Sequence, residues 1–280
     1  MDASAAETHV VTPRPDSPAS RHVQALAFDL DGTIYLGGRL LDGADELLHW
    51  LREAGIPYVF FTNNSGKTRA QIVASLCAMG VDADESNTYT SGEATAVYVA
   101  RRGWHQVECI GTDGLREMLA ASGVECEGDP SSAEAIVVGL VPGFELSKLD
   151  DRLLAVPAGA PLIAANMDAD YPVEGGQRLP GCGAVVVAVE ARIGRRVDFV
   201  VGKPGTFMLD LLCEDHGFDP ECVLIVGDSL DSDIAMAGTA GAPSVLIGAE
   251  CETSRYTGTV SVPDLRGLLA LLRMPRGLER

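Results

Sequence analysis

From about residue 23 to its end the chain alternates short, nearly unbroken apolar runs with helical stretches, and that order admits few architectures. Residues 23–30 and 57–62 read as strands. Residues 43–54 read as a helix with Leu47, Leu48 and Leu51 on one stripe, and residues 68–79 as a helix stopped by Gly80. Farther on, strands at 198–201, 223–226 and 244–247 are separated by helices at 206–216 and 231–240. Strands that are apolar along their whole length, with helices between them, predict an α/β fold. Its core is a Rossmann-like parallel sheet with helices on both faces. Such sheets bind ligands beyond the carboxyl ends of their strands.

The interval from Thr62 to Lys203 far exceeds the roughly 40–60 residues that a helix, a strand and a second helix need. The surplus has its own alternation: strand 107–110, helix 115–121, strand 135–140, helix 147–155 and strand 161–165. It predicts a smaller α/β domain inserted at 93–182 as a cap over a discontinuous core of 23–92 and 183–280. Pro142-Gly143 and the glycine-rich stretch 174–183 serve as loops and return hinge. Residues 1–22, with Pro13, Pro15 and Pro18, read as a flexible N-terminal extension.

Charge narrows the partners. Asp and Glu number 40 against 21 Lys and Arg, a formal charge of −19, which argues against nucleic acid and anionic membrane surfaces. No run is long enough for a membrane span, and the first residues lack the apolar stretch of a signal peptide. The seven cysteines are scattered and form no C-x-x-C pair, as suits free thiols in a reducing cytoplasm. Three bases are lysines, Lys67, Lys148 and Lys203, so an anion site here must build its own positive charge.

Polar residues concentrate where strands end. The first strand runs into Asp29-Leu30-Asp31-Gly32-Thr33 and the second into Thr62-Asn63-Asn64-Ser65-Gly66. The strand at 198–201 runs into Gly202-Lys203-Pro204, and 223–226 into Gly227-Asp228 and on to Asp233. The strand-end rule predicts that all four clusters converge on one edge of one sheet. Several carboxylates cannot share a small site as bare anions, and all-oxygen ligands favour Mg²⁺. Mg²⁺ with Lys203 supplies the missing positive potential, and backbone N–H groups of the 63–66 loop suit an anionic oxygen. The charge logic is that of a phosphate site. Residues two apart in extended backbone point to one side, so Asp29 and Asp31 both face it. Asp29 is the candidate nucleophile, forming an aspartyl phosphate, and Asp31 the general acid/base that protonates the leaving oxygen. Lys203 stabilises the phosphoryl oxygens.

Asp29-Leu30-Asp31-Gly32-Thr33-Ile34-Tyr35, Thr62-Asn63-Asn64, Lys203-Pro204 and Gly227-Asp228 through Asp233, in that order, resemble the four motifs of the haloacid dehalogenase (HAD) superfamily. The insert, with Asn166-x-Asp168 and Pro180-Gly181-x-Gly183, is similar to the NagD/AraL-like branch of 4-nitrophenylphosphatases and phosphoglycolate phosphatases. The resemblance implies a Mg²⁺-dependent phosphatase acting on small phosphate monoesters, with Thr62, Asn63, Asn64 and Lys203 on the phosphoryl group. It implies metal ligation by Asp29, the main-chain carbonyl of Asp31 and Asp228, with Asp233 in support. Asp168 and Tyr171 become cap-side candidates for substrate contact, and a homodimer enters because cap-to-cap dimers are common in the family. Ser232 stands where the branch often has Thr, and Gly248-Ala249-Glu250-Cys251 replaces a common Thr-Gly pair, so the 248–258 loop receives no function. The alternatives are a phosphorylatable receiver-like switch, which needs no proton donor at Asp31, and a relative that binds phosphate without turnover.

Overall fold

The computed structural model describes residues 23–145, 149, 151–173, 177–248 and 258–274. The N-terminal extension, part of the stretch read as a helix at 147–155, and residues 249–257 of the late loop lie outside the described residues. In chain order the elements are β1 (Ala25–Phe28), β2 (Tyr35–Leu36), β3 (Arg39–Leu40), α1 (Ala44–Glu53), β4 (Tyr58–Thr62), α2 (Arg69–Ala78), β5 (Thr88–Thr90) and α3 (Ser91–Arg101). There follow β6 (Val107–Ile110), α4 (Asp113–Ala121), β7 (Ala135–Val138), α5 (Arg152–Ala155), β8 (Leu162–Ala164), β9 (Asp170–Pro172), β10 (Arg178–Pro180), α6 (Cys182–Ile193) and β11 (Phe199–Val200). The chain closes with α7 (Phe207–His216), β12 (Val223–Gly227), α8 (Ala235–Ala240), β13 (Ser244–Ile247), β14 (Thr259–Val262) and α9 (Leu265–Arg273).

Six strands form one sheet in the order β14-β13-β12-β1-β4-β5, with every neighbouring pair parallel. A parallel sheet covered on both faces needs apolar side chains throughout, and β1 and β12 are buried at every residue. On one face, Leu47 and Leu51 of α1 bury with Leu265, Leu268, Leu269 and Leu272 of α9 against Phe28 and Phe60. The α9 leucines recur at helical spacing, so one stripe carries them all inward. Each such side chain contributes about 1.5–3 kcal/mol when fully buried, and this layer holds the strand ends in place.

Four more parallel strands, β11-β8-β7-β6, form a second sheet. Here the structure corrects the sequence reading. The strand before Lys203 belongs to this smaller sheet, with Phe199 and Val200 paired to Ile163 and Ala164 of β8. An apolar run announces burial but not which sheet receives it; pairing is a tertiary decision. The valine-rich helix α6 sides with the small sheet as well, since Val185, Val186 and Val189 bury with Ile136, Val138 and Leu162. The chain therefore returns to the large sheet at Gly202 and Lys203 rather than at the expected boundary of residue 183. Valine has low helix propensity, so α6 carries no helical stripe legible in the sequence.

Two further differences bear on the site. The stretch expected as a loop and hinge instead contributes β10, which pairs antiparallel with β9 to form a ribbon. One apolar cluster, including Val59 of the large sheet, Val137 of the small one and Leu115 and Leu212 on helices, runs through both units and packs them together. Among the described residues no helix is long and apolar enough to cross a membrane.

Candidate active site

Three adjacent strands, β12, β1 and β4, end at the same edge of the large sheet. The chain leaves β1 toward β4 on one side and reaches β12 on the other, so their ends open the crevice where such sheets bind ligands. Asp29 and Asp31 follow β1, Thr62 closes β4 with Asn63 and Asn64 behind it, and Asp228 follows β12. Gly32 turns the first of these segments at φ +96°, and a Cβ there would lie 2.3 Å from Asp228 Oδ2. Glycine is what lets the β1 loop and Asp228 approach each other.

Asp233 arrives on a π-helical turn, Leu230–Ile234, with the Ile234 N–H donating to Ser229 O at 3.1 Å. This wider turn, of a kind frequent at functional sites, lays Asp233 against Gly227, where a Cβ would lie 2.2 Å from its Cγ. Asp233 Oδ2 accepts the Ser229 N–H at 3.2 Å.

Lys203 reaches this edge from the small sheet. Only 1% exposed, its Nζ donates to Asp29 Oδ1 at 2.5 Å, Asp233 Oδ1 at 2.7 Å and Phe61 O at 3.1 Å. That uses all three protons of the ammonium. Asp29, Asp228 and Asp233 each present a carboxylate oxygen, and these lie within 4.8 Å of one another. The expected convergence is present, although one of the four clusters comes from a different sheet.

The electrostatics follow from three carboxylates around one ammonium. Burial raises the Asp29 carboxyl well above the usual carboxylate range; Lys203 opposes the rise, and Asp233 and Asp228 add to it. Solvent reaches Asp228 from the cleft, yet surrounding protein and the neighbouring Asp233 push it up to about 6. Burial alone would lower Lys203, but Asp233 and Asp29 outweigh it and hold the ammonium above its ordinary value. The Asp31 carboxyl is raised by burial, against the pull of the Tyr35 hydroxyl and of Lys67. Tyr35 Oη donates to Asp31 Oδ2 at 3.2 Å. Its role was not visible beyond its place four residues after Asp31.

The loop after β4 is built differently from the expectation. Thr62 Oγ1 accepts the Asn64 N–H at 3.1 Å and keeps its own proton to donate. Asn64 Oδ1 accepts from Gly66 N–H at 3.0 Å and Lys67 N–H at 2.9 Å. Two of the backbone donors read as an anion cradle, Asn64 and Gly66 N–H, thus shape their own loop instead. Asn63 is bound to Lys203 and to Asp168, and Asp168 to Asn63, while both residues also line the cleft. Tyr171 borders the cleft as well, on the ribbon strand β9. The cleft holds about 1290 Å³ between the two units, with Asp29, Asp31, Lys67, Arg178 and Asp228 also on its walls. Arg178, paired with Asp170 at 2.5 Å, lies in the stretch taken for a hinge and carried no sequence signal.

The three carboxylates fit a divalent cation by donor chemistry, being hard oxygen ligands whose mutual repulsion a cation relieves. Residues 26–125 match the haloacid dehalogenase-like hydrolases, and residues 200–266 match the HAD-hydrolase-like group. The sugar-phosphatase AraL of Bacillus subtilis is 31% identical over 83% of this chain and 84% of its own. The crystal structure of a 4-nitrophenylphosphatase from Thermotoga maritima superposes with a TM-score of 0.79 at 30% identity, covering 90% of this chain and 98% of that one. A glycerol phosphate phosphatase from Mycobacterium tuberculosis, solved in complex with magnesium, gives 0.77 at 31% identity, over 90% and 78% of the two chains. The chain belongs to the haloacid dehalogenase-like hydrolases. Within that family it stands in the NagD-like branch, beside the 4-nitrophenylphosphatases and sugar phosphatases.

Proposed function

We propose that this enzyme hydrolyses small phosphate monoesters, sugar phosphates foremost, through an aspartyl phosphate on Asp29. The observation that carries the reading is the meeting of Asp29, Asp228 and Asp233 within 4.8 Å around the Lys203 ammonium. The names of the relatives support the substrate class: a sugar phosphatase, an acid sugar phosphatase and a glycerol phosphate phosphatase.

Asp29, the main-chain carbonyl of Asp31, and Asp228 would hold Mg²⁺, which supplies charge neutralisation for the carboxylates and the phosphoryl oxygens. The magnesium and calcium complexes of the mycobacterial relative support a divalent cation. Lys203 orients Asp29 through its 2.5 Å contact and offsets negative charge on the transferring group. Thr62 is available to donate its hydroxyl proton to a phosphoryl oxygen. Asp29 attacks phosphorus while the P–O bond to the alcohol breaks and Asp31 gives that oxygen its proton. The raised Asp31 carboxyl suits the acid role. Asp31 then takes a proton from the water that attacks the aspartyl phosphate, releasing inorganic phosphate and restoring Asp29. The small unit, across a cleft of about 1290 Å³, limits water and selects the leaving group.

A receiver-like switch has no use for the half-buried Asp31–Tyr35 pair or for a covering unit, and is disfavoured. The test is hydrolysis of 4-nitrophenyl phosphate with Mg²⁺. Asp29→Asn is expected to lower kcat about 10³-fold or more with the fold intact. Turnover at the parental rate refutes the nucleophile assignment.

A further inference from the structure

Both chain crossings between the two sheets meet at Asn63, one at its side chain and the other at its main-chain carbonyl. Its Nδ2 donates to Lys203 O at 2.9 Å while its Oδ1 accepts the Lys203 N–H at 2.9 Å, so the amide clasps the lysine's backbone as a neighbouring strand would. The same Nδ2 donates to both carboxylate oxygens of Asp168, each at 3.0 Å. Behind it, Asn63 O accepts from Ser91 Oγ at 2.7 Å and from Asn166 Nδ2 at 2.6 Å. Asn166 Oδ1 in turn accepts the Asp168 N–H at 3.1 Å. Asn63, Ser91, Asn166 and Lys203 are all buried. Gly202 completes the joint, since a Cβ there would lie 2.7 Å from Asn63 Oδ1 and 2.6 Å from Ala165 O.

Ionised, a carboxylate accepts and cannot donate. Asp168 therefore holds the Nδ2 end of Asn63 toward itself. Turning the amide over would set Oδ1 against the carboxylate and against Lys203 O, and Nδ2 against the Lys203 N–H, three repulsions at once. The orientation Asp168 reinforces is the one that fixes Lys203, whose Nζ lies 2.5 Å from Asp29. Asp168 follows β8 of the small sheet, whereas Asn63 follows β4 of the large one. The contact thus exists only while the two units are together.

We infer that Asp168 is a positioning residue: through Asn63 it couples the seating of the small unit to the placement of Lys203 against Asp29. This rests on the phosphatase reading above and replaces the expectation that Asp168 touches substrate. Displacement of a reacting group by about 1 Å can cost up to 10²-fold in rate, so the effect falls on kcat rather than on binding.

The experiment compares kcat and KM for 4-nitrophenyl phosphate and two sugar phosphates with Mg²⁺, alongside urea unfolding midpoints. Asp168→Ala is expected to lower kcat about tenfold or more, by the same factor for every ester, with KM within about threefold. Asp168→Asn, whose amide oxygen still accepts from Asn63, is expected to stay within about fivefold of the parent. Asn63→Asp sets carboxylate against carboxylate and also loses the donor to Lys203 O, so the double variant N63D/D168N, which restores only the pair between 63 and 168, should regain part of the lost kcat over N63D. A KM rise that differs among esters overturns the inference in favour of substrate contact, as does a D168A enzyme within twofold of the parent. Inactivity of the parent toward all three esters would instead count against the phosphatase reading.

Discussion

Replacing Lys203 by methionine keeps the length of the side chain and removes the ammonium that two buried carboxylates share. At an effective dielectric near 20, contacts of 2.5 and 2.7 Å each represent about 6 kcal/mol of gross Coulomb attraction. Desolvation of the ammonium offsets much of this, and breaking such a buried pair costs about 3–5 kcal/mol net. The loss must depend on pH. Burial already places the folded Asp29 carboxyl above its unfolded value of about 3.9. The folded state then binds the proton more tightly, so the stability linked to Asp29 falls as pH rises from about 4 through its folded value. Without Lys203 that window extends upward, because Asp29 and Asp233 face each other uncompensated. Urea unfolding followed by circular dichroism in EDTA is expected to show Lys203→Met destabilised by about 3–5 kcal/mol at pH 8 and by clearly less at pH 5. An equal loss at both pH values, or one below about 1 kcal/mol at pH 8, would refute the buried ion-pair account.

Two other substitutions probe the frame of the site. Gly32→Ala puts a methyl 2.3 Å from Asp228 Oδ2 at a positive φ, and should cost about 1–3 kcal/mol and displace Asp228. Calorimetric titration with Mg²⁺ should then show affinity weakened at least tenfold, and unchanged affinity would contradict the close approach. Thr33 is buried, and its Oγ1 has no hydrogen-bond partner among the described residues. Thr33→Val removes that orphan hydroxyl at nearly constant shape, so its melting temperature should equal or exceed the parent's, and a fall of several degrees would refute the point.

The acidic strand ends were legible because their chemistry is local: Asp29, Asp31 and Asp228 each close an apolar strand, and carboxylates there have few structural uses. Lys203 was recognisable by its motif, while the sheet that delivers it was not. Phe199 and Val200 would be buried equally well in either sheet, and the choice depends on β8 offering a free edge. Helix α6 was hidden by its valines and the ribbon β9–β10 by its glycines and prolines. Asn63 illustrates the deeper limit. Its identity pointed to phosphate, but an amide with two donors and an acceptor satisfies whatever surrounds it, and only the packed units show that it clasps Lys203 and Asp168.

The central claim concerns one covalent bond. Quenching the enzyme during turnover and reducing it with borohydride converts an acyl phosphate to an alcohol, leaving homoserine where the phosphorylated aspartate stood. Peptide mass spectrometry is expected to find homoserine at Asp29, with substrate and not without it. Homoserine at another acidic residue, or none at Asp29 under conditions of rapid phosphate release, would contradict the account.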